Sequence, residues 1–90
     1  MKVFTVYDSA ARKYLEPFFA ETVEVACRMF RALVNKDGHQ FNRFPEDYTL
    51  FHIGSYNDDE GQLSAITPHS LGVALTYVSR LQLMEGTNDV

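Results

Sequence analysis

From Lys2 to Tyr7 the chain alternates through Val3, Phe4, Thr5 and Val6. This β-branched and aromatic run predicts a first strand. Asp8–Arg12 reads as a hairpin connection and Lys13 to Phe19 as a second strand. Proline donates no ladder hydrogen bond, so Pro17 puts that strand at a sheet edge or breaks it. The period then changes. Thr22 is a helix N-cap, with Glu24 in the first turn where the helix dipole favours negative charge. Val23, Ala26, Cys27, Phe30, Leu33 and Val34 share one wedge of the helical wheel and predict a core-facing stripe. Asp37-Gly38 supplies the stop.

Arg28, Arg31 and Asn35 join Glu24 on a polar wedge, with Glu24 and Arg28 in the favourable i,i+4 order. Val25, Met29 and Ala32 form a second apolar group roughly opposite the core stripe. On a helix lying against a sheet this group needs a cover, either the C-terminal segment or a second subunit. Residues 36–47 read as a long polar and aromatic loop, of the length that usually carries function or is pinned by its own side chains. Tyr48 to Tyr56 is a third strand, Asn57 to Gly61 a turn, and Gln62 to Thr67 a fourth strand. Along the third strand Thr49, Phe51 and Ile53 face one way, and Tyr48, Leu50 and His52 the other. After Pro68, Ser70 is placed to cap a second helix through Leu71, Ala74, Leu75, Val78 and Leu81. Gly72 and the β-branched content leave an extended reading open.

The predicted fold is therefore α+β: a small antiparallel or mixed sheet of about four strands in ββαββ order. One helix packs on one face, with a short C-terminal helix possible in the pattern. Residues 1–85 form a single domain and 86–90 a flexible tail. An apolar fraction of 46% with 13% aromatics is ample for a core in a 90-residue chain. The single cysteine, Cys27, excludes an intrachain disulfide framework and suits a reducing cytoplasm. No stretch has the pattern of a signal peptide or of a membrane span.

The chemistry-bearing residues are scattered. Cys27 lies on the core stripe, where a thiol behaves as a small hydrophobe. His39, His52 and His69 fall in three different segments, with no nearby partner for a nucleophile. Asn57-Asp58-Asp59-Glu60-Gly61 lacks the alternating ligands and distal glutamate of a calcium loop and reads as a turn. Neither enzyme activity, nor a metal, nor a cofactor is expected.

The net charge of −4 argues against a dedicated nucleic-acid binder. The charge is unevenly spread, however: residues 1–45 hold seven basic groups against five acidic ones, and residues 46–90 hold one against seven. Two segments interleave cations with aromatics, Arg12-Lys13-Tyr14 and Phe41-Asn42-Arg43-Phe44. Single-stranded DNA sites combine stacked aromatics with cations that follow the backbone. The nucleic-acid candidates are thus Arg12, Lys13, Arg28, Arg31 and Arg43 for phosphates, and Tyr14, Phe41 and Phe44 for bases. Against this stands an interaction module with Val25, Met29 and Leu81 as its interface. A nucleic-acid mimic is a third reading, with Glu46, Asp47, Asp58, Asp59 and Glu60 at phosphate-like spacing.

One resemblance narrows these choices. Phe4-Thr5-Val6-Tyr7-Asp8, Pro17-Phe18-Phe19, Phe41-Asn42, the run Phe44-Pro45-Glu46-Asp47-Tyr48-Thr49-Leu50-Phe51 and Ser70–Leu75 together resemble the small nonstructural protein of gokushovirus-type microviruses. The resemblance runs from about Val3 to Leu75. It implies a non-virion phage product in the bacterial host cytoplasm, acting in single-stranded DNA synthesis or its coupling to packaging. The partners it implies are single-stranded DNA or a phage or host replication or packaging protein, with a homodimer as a further option. It carries over no site motif.

Overall fold

A computed structural model of the chain describes residues 1–79. The expected tail at 86–90 and the interface residue Leu81 lie outside the described residues. The element order is β1 (Lys2–Asp8), β2 (Lys13–Tyr14), β3 (Phe18–Ala20), α1 (Val23–Val34), α2 (Gln40–Arg43), a 3-10 turn at Pro45–Asp47, β4 (Tyr48–Asn57), β5 (Gln62–Val73) and a 3-10 turn at Ala74–Tyr77. All pairings are antiparallel. β1 carries β2 and β3 along one side and β4 along the other, and β5 closes the far side of β4. This is the α+β architecture expected, an open sheet with one main helix on one face.

β2 and β3 are one edge strand interrupted at Pro17. Tyr14 pairs with Tyr7 and Phe18 with Phe4, so the segment between them bulges off the ladder. The bulge is anchored: the Leu15 N–H donates to the Val6 carbonyl at 2.8 Å, and Thr5 Oγ1 donates to the Leu15 carbonyl at 2.7 Å. That bond satisfies Thr5, which is only 3% exposed.

α1 starts where Thr22 predicts, its hydroxyl accepting from the Val25 N–H at 3.1 Å. It ends at Val34, before the expected Asp37-Gly38 stop, because Asn35 caps it. Asn35 Nδ2 donates to the Arg31 and Tyr77 carbonyls at 2.8 and 2.9 Å, and its Oδ1 accepts from the Ser79 N–H at 2.8 Å. One side chain thus closes the helix and ties the last described turn to it. Ala26, Phe30 and Val34 are buried against Phe4, Val6, Leu50, Phe41, Tyr48 and Ala74. Leu33, assigned to the core stripe from the wheel, falls outside the core and is 37% exposed.

Two further expectations change. The 36–47 loop contains α2 and a 3-10 turn, folded down so that Phe41 enters the core. Asn42 Nδ2 donates to the Val34 carbonyl at 2.9 Å, satisfying a helix-end acceptor that solvent would otherwise serve. The segment from Ser70 is no helix. β5 runs on to Val73, with Phe51 opposite Ser70 and Thr49 opposite Val73. Ladder bonds to β4 outweigh the helical spacing of Leu71, Ala74 and Leu75, and only one 3-10 turn follows.

Candidate functional site

Register divides the sheet residues between two faces. Phe4, Phe18, Val6, Leu50 and His52 lie on the face under α1. Val3, Thr5, Tyr7, Tyr14, Phe19, Thr49 and Phe51 lie on the other, which no described element covers. Aromatics dominate this open face. Tyr7 and Tyr14 have ring centres 4.7 Å apart, and Phe51 meets Tyr14 edge-on at 5.8 Å. Further along, Phe19 meets Tyr56 at 5.7 Å. Tyr14 and Phe19 are 49% and 45% exposed, so the rings shield one another only in part.

Between these ring clusters the face is concave. A groove of about 360 Å³ is lined by Thr5, Tyr14, Leu15, Pro17, Ile53 and Pro68. A second of about 280 Å³ shares Pro17 and Ile53 and extends towards Leu63 and Ala65. Three register shifts accompany the curvature, one between Val3 and Phe4 and two along β4–β5. At Gly54 the hairpin strands approach so closely that an added Cβ would collide with the Ser64 carbonyl oxygen. Among the described residues no charged side chain lines either groove.

The nominated cations fall in three places. Arg12 and Lys13 stand at the β1–β2 turn next to Tyr14. There Asp8 Oδ1 accepts from the Ala10 and Ala11 N–H groups at 3.0 and 3.1 Å. Arg12 takes a left-handed φ of 58°. Arg43 lies 5.2 Å over the ring of Phe44, which is 44% exposed. This pair is at the same end of the sheet as the β1–β2 turn, because the Ser9 N–H donates to the Asp47 carbonyl at 2.9 Å. Arg28 and Arg31 are on α1, across the sheet from the open face. Arg31 sits 5.2 Å over the Tyr77 ring.

Phe41 is a correction. It is 5% exposed and packs against Phe30 at 5.4 Å and Tyr48 at 4.7 Å, so it is a core side chain with no face free for a base. The acidic mimic also comes apart. Glu46 and Asp47 precede the ten-residue β4 and Asp58–Glu60 follow it, which separates the groups by about 30 Å. Of the apolar interface, Val25 and Met29 are 36% and 44% exposed on the outer side of α1.

Several titratable groups are tied into the fold. His39 caps α2, Nδ1 accepting from the Phe41 N–H at 3.0 Å. Burial, with Lys36 nearby, lowers its pKa. The Tyr77 hydroxyl donates to the Leu71 carbonyl at 2.6 Å and lies 3.4 Å from Cys27 Sγ. Burial foremost, then the Cys27 contact, push its pKa up to about 12, against the opposing pull of Arg31. His52 Nε2 lies within hydrogen-bond distance, 2.9 Å, of the Gly54 carbonyl in its own strand. The Asn57–Gly61 segment is a hairpin turn in which Asn57 Oδ1 accepts from the Asp59 and Glu60 N–H groups.

Tyr7, Phe19, Phe51 and Tyr56 were not among the nominated residues, although a signal for them was present. β4 is apolar on both its faces, and a single helix covers only one. No curated protein sequence and no solved structure matches the chain. The family model described as Phage ORF5 protein matches residues 1–77, so the chain belongs to that family of phage proteins.

Proposed function

We propose that this phage protein is a non-enzymatic accessory of a microvirus-type phage, acting in synthesis or packaging of single-stranded DNA in the bacterial cytoplasm. It works through weak contact with single-stranded DNA across the open sheet face. The observation that carries the reading is the Tyr7–Tyr14–Phe51 ring cluster beside Arg12 and Lys13. Stacking is worth about 1–3 kcal/mol per base and tolerates any sequence, as a genome-wide role requires. Phosphate contacts are few. Two cations on a single strand give a log–log salt slope of about −1.4, roughly a sevenfold loss of affinity from 50 to 200 mM salt. A net charge of −4 adds no long-range attraction.

The test is anisotropy of a labelled single-stranded oligonucleotide titrated with protein at two salt concentrations. Saturable, salt-sensitive binding that Tyr14→Ala or Phe51→Ala abolishes and Arg28→Ala leaves intact supports the reading. Absence of binding at low salt removes it.

One observation favours a second reading, an acidic protein-interaction module for a phage or host replication protein. Val25 and Met29 are exposed on the outer side of α1. In that case Met29→Asp abolishes capture of such a partner and leaves the fold and any DNA contact unchanged.

A further inference from the structure

The two edges of the sheet are built differently. The β2–β3 edge is short, broken at Pro17 and flanked by Lys13 and Glu16, all features that discourage pairing with another strand. The β5 edge has few such guards. It is twelve residues long, and among the described residues only β4 pairs with it. Every residue from Gln62 to Ser70 is exposed, with Leu63 at 69% and Ile66 at 42%. From Gln62 to Ser79 there is no Asp, Glu, Lys or Arg. Pro68 interrupts the donor row at the bulge and leaves Gln62–Thr67 available.

We propose that this edge is a self-association surface, on which β5 of a second copy of the chain adds antiparallel across a two-fold axis. Charge selects both the occupant and its direction. A parallel arrangement would set two Asp58-Asp59-Glu60 tips side by side. The antiparallel two-fold instead places each tip beside the charge-free stretch that follows Ser70 in the other copy. A strongly charged strand of either sign finds no counter-charge along the edge, because Gln62–Ser79 holds none. A second copy, although it carries the same −4 overall, sets this charge-free strand against itself, and isologous pairing covers Leu63 and Ile66 of both copies without bringing like charges together. Leu63 and Ala65 also wall the second groove, so the pairing joins two open faces into one longer surface. A two-strand seam is a smaller contact than the roughly 800 Å² per partner of a standard interface, so a weak, reversible dimer is expected. The inference rests on the edge and holds whether or not the face binds DNA.

Sedimentation velocity of the full chain, from low micromolar to submillimolar concentration, tests it. A reversible monomer–dimer equilibrium is expected, and Leu63→Lys combined with Ile66→Lys raises its Kd by at least about tenfold. Hydrogen exchange on the unaltered chain supplies an independent arm: amides of residues 62–67 gain protection at concentrations where the dimer forms. A chain that stays monomeric throughout overturns the proposal. So does a dimer that forms without protection of those amides, or one that Met29→Asp dissociates and the lysine pair does not.

Discussion

The two faces of this sheet come from alternate residues of the same strands, yet they have opposite fates. Under α1 stand Phe4, Val6 and Leu50, none more than 5% exposed, packed against Phe30 and Val34. On the other side stand Tyr7, Tyr14, Phe51, Phe19 and Tyr56, meeting one another at ring distances and reaching water. The covered face gains its stability by excluding solvent from aliphatic and phenyl surface. The open face limits its exposure by ring-on-ring contact, and tyrosine keeps a polar tip in water. The same period of two thus produces a core on one side and an aromatic platform on the other. What separates them is whether an amphipathic helix lies on top.

The largest test sets one face against the other. Phe30→Ala empties the centre of the covered face, and a loss of about 3–5 kcal/mol by chemical denaturation is expected. Tyr14→Ala removes only ring contacts on the open face and costs about 1 kcal/mol. On the proposed DNA reading, oligonucleotide binding is expected to disappear with Tyr14 while the fold remains. Equal destabilisation by the two changes would end the distinction between the faces.

Next in size is Gly54→Ala. The new methyl group meets the Ser64 carbonyl oxygen, which is backbone and has little freedom to yield. Destabilisation of about 1–3 kcal/mol is expected, with the loss of protection in hydrogen exchange concentrated on the β4–β5 hairpin. A uniform loss across the chain would mean that the hairpin is not a separate weak point.

A smaller effect belongs to the covered side. The folded pKa of Tyr77, about 12, is above its ordinary value of 10.0, so folding favours the neutral phenol. Its contribution is complete below pH 10 and is lost as the pH rises through 12. Thermal denaturation in alkaline buffer should show this decline, and Tyr77→Phe should flatten it.

Smallest in stability is Arg12→Gly. The residue sits at a φ of 58°, where glycine is at ease, so stability is unchanged or rises by up to about 1 kcal/mol. On the proposed DNA reading, removing one cation beside the ring cluster is expected to lower the salt slope of binding by about 0.7. A drop in stability would show that the Arg12 side chain holds the turn.

Elements whose signal is local were legible in the chain. β1 and β4 follow their alternation to within a residue of the expected ends, Thr22 caps α1, and Pro17 both breaks the edge strand and lies at the edge. α2 was not legible, because four residues are too short to show a period. Nor was the length of β5, where helical spacing after Ser70 competed with a ladder that exists only once β4 is in place. Of the candidate site, Tyr14 with Arg12 and Lys13 was readable as a cluster contiguous in sequence. Phe41 and Phe44 are three residues apart and equally aromatic, yet one is core and the other surface.

By itself the sequence determined the α+β class, the helix with its cap and inner stripe, the broken edge strand and the acidic hairpin turn. Each of these follows from a few neighbouring residues and their intrinsic geometry. Only the tertiary structure decided which aromatic face stays open among the described residues, where Phe41 goes and which edge carries few guards. Those outcomes depend on which elements come to lie against one another, and a single helix of twelve residues covers only one side of a sheet.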